Sequence, residues 1–149
     1  MSKKNHSKQP TAQYNPTSAK VPKLDSSIGS ISDLYPSWHF DKLDLEFRNK
    51  WEVIDRDCLI NEILPKLKEY EKMQWKEIGG RSSHFVSVSS IISEAQRRLE
   101  QLKLEDTEHL FSFRLSGTKR IYGIQYNSII KLLWWDPHHL ICPSPKKYT

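Results

Sequence analysis

The chain has 149 residues, 23 Lys and Arg against 18 Asp and Glu, a net charge of +5 and two cysteines, which fits one domain. No run approaches the ~18–20 apolar residues that a bilayer span needs, and no apolar stretch follows the N-terminal lysines. A membrane span is therefore excluded, the N-terminus argues against a secretory signal, and a cytoplasmic protein without a membrane partner is expected. Cys58 and Cys142 form neither a disulfide framework nor a CxxC metal or redox pair.

The charge is unevenly placed. Residues 1–24 hold Lys3, Lys4, Lys8, Lys20 and Lys23 and no acid, so the rest of the chain sums to zero. Residues 25–110 carry 12 basic and 17 acidic side chains, whereas residues 111–149 set Arg114, Lys119, Arg120, Lys131, Lys146 and Lys147 against Asp136 alone. Screening confines each charge to about a Debye length of ~8–10 Å, so local positive density attracts phosphates whatever the total. The C-terminal quarter is thus where chemistry is expected.

Residues 1–30 are rich in Ser, Lys, Thr, Gln, Asn and Pro and cannot bury enough surface to offset ordering, so they read as a disordered basic tail before a single domain over 31–149. Trp38, Phe40, Leu43 and Leu45 suggest a first extended element. Asp57 is a plausible N-cap for an amphipathic helix carrying Leu59, Ile60, Ile63, Leu64, Leu67, Tyr70 and Met73. Pro65 kinks or divides it, and Gly79-Gly80 ends it. A linker over 81–88 leads to a second helix, capped by Ser89 or Ser90, with Ile91, Ala95, Leu99 and Leu102 as its stripe and Glu94–Arg98 as an i, i+4 pair.

From Leu110 the period becomes two: Phe111, Phe113 and Leu115 alternate with Ser112, Arg114 and Ser116. Turns at 116–119 and at Tyr126-Asn127 separate this strand from one over 120–125 and from a near-continuous apolar strand, Ile129 to Trp135, that Asp136-Pro137 terminates. Trp134 and Trp135 must fall on opposite faces, at least one of them in the core. The expected class is α+β, two helices packed on a small antiparallel sheet in the order β-α-α-β-β-β.

That order, with the segment Phe113-Arg114-Leu115-Ser116-Gly117-Thr118-Lys119-Arg120-Ile121-Tyr122-Gly123-Ile124 and the basic ending Lys146-Lys147-Tyr148-Thr149, resembles the RelE/ParE-like toxins of bacterial toxin–antitoxin pairs. The resemblance implies two helices on one face of the sheet, a metal-independent endoribonuclease acting on messenger RNA at the ribosome, and a cognate antitoxin protein as partner. Separately, Leu133-Trp134-Trp135-Asp136-Pro137-His138-His139 with Cys142-Pro143-Ser144 is similar to a family of small bacterial proteins without an assigned activity.

RNA cleavage needs a base for the 2′-hydroxyl, cations for the phosphate and an acid for the leaving oxygen. His139, just beyond the last strand, is the candidate acid or base, with Arg120 and Tyr122 beside it. Arg114, Lys119, Lys131 and Lys147 are candidate RNA-binding residues, because guanidinium and ammonium groups match phosphate oxygens. Arg81 and His84, in a glycine-flanked loop, are candidates for a lid or a phosphate contact. No P-loop, HExxH or GxSxG spacing is present, so no cofactor or metal is expected. Two readings stand beside the nuclease: a non-enzymatic protein-interaction module, and an RNA binder without catalysis. In either, Arg114 and Arg120 belong to a solvated sheet face or pair with the acidic helices.

Overall fold

The computed structural model describes residues 30–46, 54–80 and 82–143, so all of the expected tail but Ser30, together with Arg81, Lys147 and the Lys146–Thr149 ending, lies outside the described residues. Five strands form one sheet in the order β1-β5-β4-β3-β2. They are β1 (Ser37–His39), β2 (His84–Ser87), β3 (His109–Ser116), β4 (Lys119–Tyr126) and β5 (Ile129–Asp136). β1 runs parallel to β5, with Trp38 opposite Ile130, and every other pairing is antiparallel. The mixed α+β class read from the sequence holds. The added strand β2 occupies part of the expected linker, where a four-residue segment with only Val86 buried gives too little alternation to read.

The first helical stretch is built from α1 (Arg56–Cys58), a π turn (Leu59–Ile63) and α2 (Leu64–Tyr70). Asp55, not Asp57, caps it: its carboxylate accepts the Cys58 amide at 2.8 Å. Pro65 sits in the first turn of α2, directly after the widened π hydrogen bonding, where its missing N–H and ring are tolerated. A short α3 (Trp75–Ile78) follows, and α4 (Ser93–Gln101) begins after Ile92 without a side-chain cap, so neither Ser89 nor Ser90 serves.

The helices cover both faces of the sheet, unlike the one-face packing that the toxin resemblance implies. On one face Ile63, Leu67, Tyr70, Trp75 and Ile78 bury Phe111, Phe113, Leu115, Ile121, Ile130, Leu132 and Trp135. On the other, Ile91, Ala95 and Leu99 pack over Val86, Leu110, Tyr122, Ile124, Leu133, Trp134 and Ile141. Strands covered on both sides read as continuous apolar runs, which is why β5 does.

One irregularity shapes β5. Tyr122 pairs with Trp134 but Gly123 pairs with Leu132, so Leu133 is an extra residue and both Leu133 and Trp134 face α4. Gly123 permits it: a Cβ there would lie 2.5 Å from Ile130 Cγ2 and 2.9 Å from the Lys131 carbonyl. Asp44 then ties the layers together. Its carboxylate accepts Arg98 Nε and Nη2, both at 2.8 Å, and the Trp134 indole N–H at 3.1 Å. Among the described residues no helix is long and apolar enough to cross a membrane.

Candidate functional site

Alternation along the strands decides which polar side chains meet. Phe111, Phe113 and Leu115 occupy the α2 face, so Ser112 and Arg114 face the α4 side, and by the same parity Arg120 and Tyr122 do too. Arg114 stands opposite Arg120, and Arg120 opposite Asp136, which makes one row across the end of the sheet that α4 leaves uncovered. His84 shares the face of Val86 on edge strand β2, one pair inward, opposite Ser112.

Like charges directly opposite each other in adjacent strands are destabilising. Among the described residues neither arginine has a carboxylate in an ion pair. Arg120 Nη1 donates to the carbonyls of Gly117 at 2.7 Å and Lys119 at 3.0 Å, leaving Nη2 and Nε without a hydrogen bond there. Burial, then the Arg114 charge, lowers the proton affinity of Arg120. Asp136, opposite Arg120 in β5, offsets part of this charge, and two adjacent guanidinium groups have the donor geometry that suits an anion with several oxygens.

His139 reaches this row through a built turn. The buried Asp136 carboxylate accepts the amides of Leu140 at 2.9 Å and Ile141 at 2.8 Å. Thr118 donates to the Pro137 carbonyl at 2.7 Å, and the Ile92 amide to the Ile141 carbonyl at 2.9 Å. The chain between bends back with His139 in the left-handed region at φ 55°. Partial burial, then Arg120, lowers the His139 imidazole below its ordinary value; Asp136 opposes and His84 reinforces that shift. The neutral form, which accepts a proton, is therefore favoured.

The other expected site residues separate. Tyr122 is fully buried under α4, and its hydroxyl has no hydrogen bond of ordinary geometry, with Ser112 as its cross-strand neighbour. Burial, then Asp136, pushes its proton affinity far up. The expected role in stacking on a base or touching phosphate is corrected: the ring is core. Lys119 has the opposite parity to Arg120 and reaches Glu62 at 2.5 Å on the α2 side, an ion pair without hydrogen-bond alignment, so it is not part of the row. Lys131 lies toward the other end of β5, paired with Asp41 at 3.0 Å and over the Tyr126 ring at 5.3 Å. It is five positions from Asp136, roughly 16 Å along a strand. His84 is on a strand, not in a lid loop.

Two positioning residues escaped the sequence reading. Ser83 is buried; its hydroxyl accepts the Arg114 amide at 3.1 Å and contacts the Tyr70 hydroxyl at 3.1 Å, while the Tyr70 hydroxyl also donates to the Arg114 carbonyl. Asp136 read as a strand terminator, yet it anchors the His139 turn. Only the DP pair ending an apolar run hinted at a carboxylate turned inward. Among the described residues no three His, Cys, Asp or Glu side chains converge as a metal-ligand set.

Two guanidinium groups and an imidazole have the chemistry that suits an oxyanion and a proton transfer. No curated protein matches the chain, and no solved structure matches it. A family model does match, over residues 30–149. The chain belongs to the family described as "Uncharacterised protein UU032".

Proposed function

We propose that the protein is a metal-independent endoribonuclease acting on messenger RNA in the cytoplasm, of the kind its resemblance to RelE/ParE-like toxins implies, with the ribosome as its setting and an antitoxin as its protein partner. The observation that carries this reading is the Arg114–Arg120 pair, two guanidinium groups opposite each other with no carboxylate in an ion pair among the described residues. Anchored beside them is an imidazole biased toward its neutral form. Guanidinium groups stabilise the charge that gathers on phosphorus oxygens, and the imidazole supplies the proton transfer.

Controlled expression in bacteria tests the reading. Wild-type chain should arrest growth and fragment messenger RNA, and Arg120→Ala or His139→Ala should relieve both effects in folded protein. Full toxicity in both variants would remove the site. Normal growth with intact RNA would favour the interaction module, which has its own support in the apolar pair Ile60 and Leu64, four residues apart and 54% and 40% exposed.

A further inference from the structure

The sheet ends in β2, beyond which no strand lies among the described residues, so one side of its backbone faces outward. The Val88 amide donates to the Glu108 carbonyl at 2.9 Å and continues the β2–β3 register. Antiparallel pairs alternate between bonded and non-bonded, so His84 and Val86 also turn their amides and carbonyls toward β3, and Phe85 and Ser87 turn theirs away from the sheet. Phe85 stands against Phe111 on the α2 face, ring centroids 4.9 Å apart, and is still 51% exposed. An edge with outward backbone groups and a half-exposed aromatic ring is a template for another strand.

Charge along this edge points to the occupant. One end of β2 carries His84 beside the Arg114–Arg120 row. The other end meets the loop that carries Glu105, Asp106 and Glu108, all exposed and, among the described residues, in no ion pair. The edge is thus basic where it starts and acidic where it finishes, and an antiparallel copy of itself matches both ends at once. We propose that two copies of the chain pair through β2 about a twofold axis, with Phe85 of each opposite Ser87 of the other, so that the two sheets become one. Phe85 and Ser87 then exchange amide and carbonyl hydrogen bonds on both sides of the axis. The two Phe85 rings become diagonal neighbours, about 7–8 Å apart and within aromatic reach. In this register His84 of one copy stands opposite Val88 of the other, which already pairs with its own Glu108. Glu108 of one copy and His84 of the other are then two strand spacings apart, about 10 Å, on the α4 face of both and within about a Debye length.

Ser87→Pro tests the pairing. Ser87 has φ −70°, which proline adopts, and its amide points out of the sheet, so the substitution removes a donor between copies without touching β3. The full wild-type chain, followed by sedimentation equilibrium from micromolar to near-millimolar concentration, should pass from monomer to dimer. Ser87→Pro should raise the dissociation constant by at least about 10-fold at unchanged thermal melting. Glu108→Lys should weaken the dimer at low salt and lose that effect at high salt. Amide exchange in the wild type decides the matter even if the proline variant does not fold: the Phe85 and Ser87 amides should be protected in the dimer and exchange fast on dilution, while the Val86 amide, bonded to β3, stays protected in both. A chain that is monomeric throughout the range would overturn the proposal and leave the edge to a strand of another protein. A dimer that survives Ser87→Pro in folded protein, ignores Glu108→Lys, or leaves the Phe85 and Ser87 amides exchanging as in the monomer would overturn it as well. None of these outcomes touches the nuclease reading, which the growth and RNA assay decides.

Discussion

Asp136→Asn isolates the anchor of the His139 turn. The native carboxylate is fully buried and accepts two backbone amides, Leu140 at 2.9 Å and Ile141 at 2.8 Å. Hydrogen bonds to a charged group contribute about 1.5–3 kcal/mol each, and a buried donor left without an acceptor costs about 1–3 kcal/mol. Asparagine keeps one acceptor oxygen but turns an NH2 group toward the second amide, so one bond is lost and two donors are opposed. The expected destabilisation is about 3 kcal/mol. At roughly 3–4 °C per kcal/mol for a chain of this length, the midpoint should fall by about 10 °C. Thermal unfolding followed by near-ultraviolet circular dichroism gives the shift directly, because the neighbouring Trp134 and Trp135 report on packing around β5. A variant melting within ~2 °C of wild type would refute the reasoning, since it would mean that the carboxylate does not hold the turn.

Two further outcomes are expected. Gly123→Ala should cost about 1–3 kcal/mol, read as a lower urea midpoint, because the new Cβ meets Ile130 Cγ2 at 2.5 Å and the fixed Lys131 carbonyl at 2.9 Å; an unchanged midpoint would show that the strand yields there. The His139 imidazole should titrate below its ordinary 6.5 when followed by NMR, and Arg120→Ala should raise its midpoint toward that value. Since the folded chain favours the neutral ring, the associated stability is present above 6.5 and is lost as pH falls through the folded midpoint; a titration at or above 6.5 would contradict this.

Much of the sheet was legible. The alternation Phe111, Phe113, Leu115 and the turns at 116–119 and 126–127 anticipate β3, β4 and β5 to within a residue or two, because a half-buried strand must alternate. Trp134 and Trp135 do divide between the two cores. The site was less legible for two reasons. Lys119 and Arg120 are adjacent in one strand and so face opposite ways, a conclusion parity alone supplies, yet charge density grouped them. Tyr122 shares the face of Arg120, and nothing in its own segment tells that α4 ends its coverage between them. The reach of Arg98 to Asp44, across the fold, is likewise invisible beside the local Glu94–Arg98 spacing.

The strand order has a consequence for how the chain folds as it is made. β1 is synthesised first, but among the described residues its only hydrogen-bonded neighbour strand is β5, and Asp44 just beyond it waits on the indole N–H of Trp134, 90 residues downstream. Until β5 leaves the ribosome, β1 has no edge to join, Trp38 has no Ile130 beside it, and the Asp44 carboxylate has no indole. A nascent chain arrested before Ile129 therefore presents the β2–β3–β4 meander with an open β4 edge in place of the five-stranded sheet. Such distant closure slows folding, and it places the exposure to wrong strand pairing at one defined point of synthesis, the interval between the emergence of β4 and that of β5.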